Sequence, residues 1–307
     1  VEASVTLKNV SKHYQRKYAL SGLTLGIEKG SVFAVIGRSG AGKSVLMRLL
    51  STLGIPDKGA IYIQGKSTSE YRQETATLVG YLPEHDMHDP WKSGWENLDH
   101  RADLLGLDRT HVKEVLDPWI REFDMQAELP KCPVSYSKGK KRCLDLLQVL
   151  MSDSPILILD EPTQALDHAS RNALFRYLLR VRGEKTIIVA SNRFTEMQAL
   201  ADRWVVLHRG QIRFDGTREQ MIEQMEIPFV GEVELSEVDE ELLAMLRRSH
   251  HLQEIKTYGK LLKFSVQGYR EFQTIIAKLD PGKVISIRGD SACMDDFLNQ
   301  LLIDEGY

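Results

Sequence analysis

The chain has 307 residues, 42% hydrophobic and 27% charged, and its 40 basic against 43 acidic side chains leave a net charge of -3. That length suits one large core or, better, two smaller ones, and the near balance of charge gives bulk electrostatics no basis for nucleic-acid binding. No apolar run approaches the roughly 18–20 residues that span a bilayer, and no signal-peptide pattern opens the chain, so work at a membrane would run through a partner. Cys132, Cys143 and Cys293 have neither metal-ligand spacing nor an even disulfide framework, which favours a reducing compartment. The first residue is Val1 rather than Met, which leaves room for a short leader or tag before it.

In chain order, Val5–Val10 alternates as a half-exposed strand, and Ser11–Tyr14 leads through Tyr18-Ala19-Leu20 to a second strand, Leu23–Ile27. Tyr14 has two readings, a surface hairpin aromatic or a flat platform for a purine base. After a turn at Glu28-Lys29-Gly30, Ser31–Ile36 reads as a buried strand. Gly37, Arg38, Ser39, Gly40, Ala41, Gly42, Lys43 and Ser44 then fit G-x-x-x-x-G-K-[ST], and Val45–Leu50 opens an apolar helix. Glycines at this spacing let successive N–H groups turn inward around phosphate oxygens, and the helix adds the positive end of its dipole. Lys43 would reach the β- and γ-phosphates, the Ser44 hydroxyl would ligate Mg²⁺, and Val45 continues the phosphate-binding stretch.

Beyond the loop, Gly59–Gly65 and Leu78–Pro83 read as short strands. From about Glu84 to Ser135 the apolar period becomes helical, through Trp95, Leu98, Ala102, Leu105, Val112, Val115, Leu116, Trp119, Ile120 and Phe123. A helical insertion thus interrupts an α/β pattern. Pro155–Leu159 is a continuous apolar run, as for a central parallel strand, and ends in Asp160-Glu161. A carboxylate at that place suits Mg²⁺, directly or through water, and Glu161 is placed to orient or deprotonate an attacking water. The plainer reading of the pair is as a cap before a helix starting near Asp167. Lys185–Ser191 is the next buried strand, and Trp204–Leu207 with Gln211–Phe214 reads as a hairpin around Arg209-Gly210.

With Tyr136–Arg142 (Y-S-K-G-K-K-R) and Gln164–Asp167, this series of motifs resembles the ATP-binding cassette (ABC) ATPases across Val5–Thr217, and among them the ATP-binding subunits of ABC-2-type, drug-exporter-like transporters. The resemblance implies an α/β P-loop NTPase core at 1–217 that dimerises around two ATP and energises export through a separate integral-membrane permease. It implies Mg²⁺ held by Ser44, Asp160 and Glu84, catalysis by Glu161 and Lys43, and Ser137, Lys138, Gly139 and Asp167 contacting ATP bound by a second subunit, identical or different. It also implies a peripheral place on the cytoplasmic face of the membrane. Independently of any family, Ser137 and Gly139 start a helix whose free N–H groups form an anion site. Lys138, Lys140, Lys141 and Arg142 also read as a solvated basic face or a nucleic-acid patch, but lack interleaved aromatics.

Two positions depart from the family pattern. Glu84 stands where Gln is usual, adding negative charge near the phosphates. Asn192 replaces the switch histidine and cannot carry a proton or charge, so slow hydrolysis, or ATP binding that serves regulation alone, is the alternative to full turnover. Asp86–Asn97, with Trp91 and Trp95, would lie under the permease, or the tryptophans fill the insertion's core. Residues 218–307 read as a helix at Arg218–Met225, then Gly231–Leu235, a helix at Asp239–Arg248, strands at Leu252–Thr257 and Leu261–Val266, a helix at Tyr269–Leu279 and a strand at Lys283–Ile287. That β-α-β-β-α-β order is ferredoxin-like and carries no chemical motif, so dimer contact or regulation is its expected role. A last helix is expected at Met294–Leu302.

Overall fold

A computed structural model describes residues 3–15, 17–224, 229–238, 240–250 and 252–291. The chain divides into two compact units, one running to Arg193 and including Met197–Asp215, the other made of Phe194–Glu196 and the residues from Gly216 onward.

The first unit is built on two sheets. Strands β1 (Ala3–Tyr14) and β2 (Lys17–Glu28) pair antiparallel, and β3 (Val32–Ile36) leads into helix α1 (Lys43–Leu50). Both β1 and β2 are longer than the apolar alternation predicts, because the ladder continues through register shifts between Leu7 and Val10 and between Val10 and Lys12. Such bulges change the inside-outside phase, which hides the strand from a period-two reading. Next come β4 (Lys58–Ile63), β5 (Lys66–Ser67), α2 (Arg72–Thr77) and β6 (Val79–Leu82). The first sheet has the order β2-β1-β4-β5.

The insertion consists of α3 (Gly94–Leu105) and α4 (Arg109–Glu122), which pack with α5 (Lys138–Leu150). Leu98, Ala102, Val112, Leu116, Ile120 and Phe123 are buried there as the helical period predicts, but Leu105 is exposed. The second sheet takes β7 (Ile156–Asp160) and, after α6 (His168–Val181), β8 (Thr186–Ser191). The short α7 (Phe194–Met197) precedes β9 (Arg203–His208) and β10 (Gln211–Gly216), giving the order β10-β9-β3-β8-β7-β6. Every residue of β3, β7 and β8 is buried, the condition for a continuous apolar run. Helix α1 contacts β2 of one sheet and β7 and β8 of the other, so one core, including Leu7, Leu25, Phe33, Leu46, Ile158 and Ile188, joins both.

Register sets which strand ends meet. In the parallel ladder Ile36 pairs with Ser191, Asp160 with Ala190, and Leu82 with Leu159. The strand ends that lead to Gly37, Asn192, Glu161 and Glu84 therefore lie side by side at the carboxyl edge of the sheet. Open parallel sheets place ligands along that edge.

Beyond Gly216 the second unit comprises α8 (Arg218–Gln224), β11 (Phe229–Leu235), α9 (Glu240–Arg247), β12 (Leu252–Tyr258), β13 (Leu261–Val266), α10 (Tyr269–Ile276) and β14 (Val284–Ser291). Its strands run antiparallel in the order β12-β13-β11-β14, the split β-α-β arrangement of a ferredoxin-like module. Val233, Leu246, Leu262, Phe264, Val266 and Ile275 form its core. The helix expected at Met294–Leu302 lies outside the described residues, as do Met225 and Asp239.

Candidate functional site

One cleft at the carboxyl edge of the parallel sheet is lined by Ala19, Arg38, Ser39, Gly40, Gly42, Lys43, Ser44, Val45, Glu84, Glu161 and Asn192. Gly42 caps α1 at φ +109°, where a side chain is strained, and an added Cβ would lie 2.6 Å from the Ala19 carbonyl oxygen. Only glycine lets the loop press against β2 there and still turn its amides into the cleft. Ala41 lies behind the loop, buried, its carbonyl accepting from the Gly210 amide at 2.9 Å.

Lys43 is buried, and its ammonium donates to the Gly37 carbonyl at 2.7 Å and the Arg38 carbonyl at 3.4 Å. It also lies 3.6 Å from the Glu161 carboxylate. Glu161 has φ +48°, a left-handed conformation uncommon outside glycine, held by its amide bond to the Ala190 carbonyl at 2.9 Å. The turn that reverses the chain after β7 thus aims this side chain across the cleft. Burial pushes its pKa up, and the Lys43 charge opposes that rise.

Asp160 is fully buried, and neither carboxylate oxygen has a hydrogen-bond partner. Burial raises its pKa; the Ser44 hydroxyl lies near enough to favour the ionised form, yet donates to Glu84 at 3.2 Å instead. Two orphaned carboxylate oxygens beside a hydroxyl and a second carboxylate make an all-oxygen donor set suited to a hard divalent cation.

The same orphaned carboxylate predicts a stability effect in metal-free protein. A raised folded-state pKa means that the folded state binds the proton more tightly, so the cost of this carboxylate grows as pH rises from the ordinary value of 3.8 through the raised one. Asp160→Asn should stabilise the protein in EDTA by ~1–2 kcal/mol at pH 8 and by progressively less on acidification. Thermal melts across pH measure it, and equal melting of the two proteins at pH 8 would contradict it.

The remaining sequence candidates are more widely spread. Tyr14 sits at the end of β1, half exposed, with the Lys12 ammonium 5.8 Å over its ring, and does not line the cleft. Ser137 caps α5, its hydroxyl accepting from the Lys140 amide at 3.3 Å, with Lys138 exposed beside it. Gly139 approaches the loop after Glu161 so closely that an added Cβ would be 2.7 Å from the Ala165 carbonyl oxygen. Asp167 caps α6 through the Ser170 amide at 2.8 Å, a bond that lowers its pKa. Asn192 reaches the cleft wall from an exposed turn closed by the Arg193 amide on Ser191 Oγ at 3.0 Å.

The basic run after Ser137 proves to be only partly a solvated face. Lys140 donates to the Phe123 and Asp124 carbonyls at 2.8 and 2.6 Å, and Arg142 is buried, its guanidinium on backbone carbonyls. Sequence reading missed the burial of Arg142 and passed over Asp145 and Gln148, three polar residues at helical spacing in the buried, otherwise apolar stretch of α5 from Arg142 to Leu150. That spacing was the available signal, since a helix buried all round must supply partners for its polar groups.

The model of the ABC transporter family matches residues 20–164. The ABC transporter ATP-binding protein NatA of Bacillus subtilis (strain 168) is 30% identical over 226 residues, which cover 71% of this chain and 92% of that protein. The chain belongs to the ABC transporter ATP-binding proteins. This ABC protein is also 32% identical over 221 residues to the daunorubicin resistance ATP-binding protein DrrA3 of Streptomyces coeruleorubidus, covering 72% of this chain and 70% of that one. A dimeric ATP-binding cassette solved in a post-hydrolysis state with ADP and Pi shares its fold, with a TM-score of 0.62 over 69% of this chain and 98% of that chain at 22% identity. Among the described residues no helix is long and apolar enough to cross a membrane.

Proposed function

We propose that this chain is the ATP-hydrolysing subunit of an exporter, closing on a second ABC subunit around two ATP molecules and driving a separate membrane permease. The observation that carries this is the meeting in one cleft of the Lys43 ammonium with the Ser44, Glu84 and Glu161 side chains, beside the buried and unpartnered Asp160. Lys43 and the amides of Gly40–Val45 bind and neutralise the phosphates, while Ser44, Asp160 and Glu84 hold Mg²⁺. The ion supplies charge neutralisation at the phosphates. Glu161, with its raised pKa, orients the attacking water and accepts its proton. Ser137 and Gly139 of the second subunit present helix-start amides to the γ-phosphate. Steady-state ATPase activity of the purified protein tests the reading, and co-purification with a multi-span membrane protein tests the export part of it.

Trp91 bears on the permease. It is 76% exposed, so it does not fill the insertion's core, whereas Trp95 is half-buried. The loop that carries Trp91 is stapled by Asn97, whose amide group donates to the Asp89, Lys92 and Ser93 carbonyls at 3.0–3.1 Å. A large apolar ring held outward on a braced loop is what a partner helix docks against. Trp91→Asp should reduce the membrane-associated fraction of the protein at least ~5-fold and leave ATP affinity unchanged, a loss on the scale of one interfacial anchor. Cell fractionation and nucleotide binding measure the two, and undiminished membrane association would remove Trp91 from the docking surface.

Asn192 favours a second reading, in which hydrolysis is slow and ATP serves chiefly as a dimerisation switch. Its amide lines the cleft without a charge. Asn192→His should raise turnover by ~10-fold, the difference between a neutral and a charge-assisted hydrogen bond. Unchanged turnover in a protein that is already fast would remove this reading.

A further inference from the structure

Arg142 is 6% exposed, and its guanidinium bridges two chain segments. Nη1 donates to the Pro83 carbonyl at 2.6 Å, and Nη2 to the carbonyls of Asp160 at 2.5 Å and Glu161 at 2.9 Å. One turn further along α5, the fully buried Asp145 accepts from the Met87 amide at 3.4 Å and pairs with His88 Nδ1 at 2.7 Å. Residues three apart on a helix share a face. Both ends of the segment that carries Glu84 are thus fastened to one face of α5, and the same guanidinium fastens the turn that carries Asp160 and Glu161.

We infer that Arg142, backed by Asp145, is a positioning residue that sets the spacing between Glu84 and the Asp160–Glu161 pair and ties it to the helix begun by Ser137. The inference rests on the reading of the cleft as an Mg·ATP site. Every bond from Arg142 is to a backbone carbonyl, so the carboxylates keep their own oxygens for the cleft. Only a planar fork spans carbonyls from two segments, and a lysine ammonium, a single point, does not. Mg²⁺ demands near-ideal octahedral geometry, so a small drift of Glu84 from Asp160 costs affinity. Loss of a residue that orients metal ligands typically costs about 10–100-fold in affinity or activity. The brace also makes any shift of α5, whose first residues face outward, a shift of the metal ligands.

Arg142→Lys in the full chain keeps the charge and removes the fork; Asp145→Asn tests the backing and guards against one variant failing to fold. ATP affinity in EDTA should stay within about twofold of the unsubstituted protein, because the P-loop does not depend on the brace. The ATP-loaded variant should need about tenfold more Mn²⁺ for half-saturation, read from free Mn²⁺ by electron paramagnetic resonance, and kcat should fall about tenfold with little change in KM for ATP. Asp145→Asn should shift Mn²⁺ affinity in the same direction by less. Unaltered Mn²⁺ affinity in Arg142→Lys overturns the proposal, and so does a matching loss of metal-free ATP binding, which would make Arg142 a general support of the fold. An unsubstituted protein that binds neither ATP nor Mn²⁺ fails the reading of the cleft and the proposal with it, whereas a competent one matched by its Arg142→Lys variant fails the proposal alone.

Discussion

Glu161→Gln should lower steady-state ATP turnover by about 10²–10⁴-fold, the usual worth of a positioned general base, with ATP affinity changed by no more than a few-fold. The amide has nearly the size and shape of the carboxylate, so the left-handed turn at residue 161 and its bond to Ala190 persist. What disappears is the basic oxygen 3.6 Å from the Lys43 ammonium. Binding through the P-loop survives because Lys43 keeps its carbonyl partners, Gly37 and Arg38. The pH profile gives an independent readout. The base must be ionised, and burial raises its pKa above the ordinary 4.5, so the acid limb of kcat should lie above the range of an exposed glutamate and be absent from the residual activity of the variant. Equal turnover of the two proteins would defeat the enzymatic reading and leave ATP as a ligand only.

A second large effect is expected at the start of α5. Gly139→Val should abolish ATP-driven dimerisation and reduce turnover about 10²-fold, the cost of losing oxyanion-type donors, while the chain still binds ATP. Its Cβ would stand 2.7 Å from the Ala165 carbonyl oxygen, a backbone atom that cannot swing aside. Ala165 is itself left-handed at φ +63°, and the loop is anchored further on by the Asp167 cap of α6. The first turn of α5 must therefore move and carry the Ser137 cap with it. Sedimentation of the variant with ATP, in a Glu161→Gln background that prevents hydrolysis, reads dimerisation directly. A dimer of undiminished affinity would mean that α5 does not complete the neighbouring site.

These two residues also mark how far local pattern reaches. The P-loop, the buried strand ending in Asp160 and the Ser137 cap are each determined within about ten residues, by a glycine spacing, an apolar run and a capping serine. All three are therefore visible in sequence. Tyr14 shows the limit: a local pattern allowed two fates, and the structure leaves the ring outside the cleft under Lys12. Trp91 and Trp95 shared one pair of readings, permease contact or insertion core, yet the first is exposed and the second half-buried. Arg142 was hidden among neighbouring cations because its partners lie 59, 18 and 19 residues away.

By itself, the sequence determined the α/β alternation, the helical insertion, the glycine-rich loop before α1 and the identity of the carboxylates that end the Pro155–Leu159 run, since each depends on periodicity or on contiguous residue types. Only the tertiary structure decided that Glu84, Asp160, Glu161 and Asn192 share one edge with Lys43. That meeting depends on the β3-β8-β7-β6 strand order and its register. Tertiary structure alone also left Asp160 without a hydrogen-bond partner and spent a buried arginine on three backbone carbonyls. The physical reason is that burial and pairing are properties of the packed assembly, in which distant segments supply or withhold partners that no local pattern encodes.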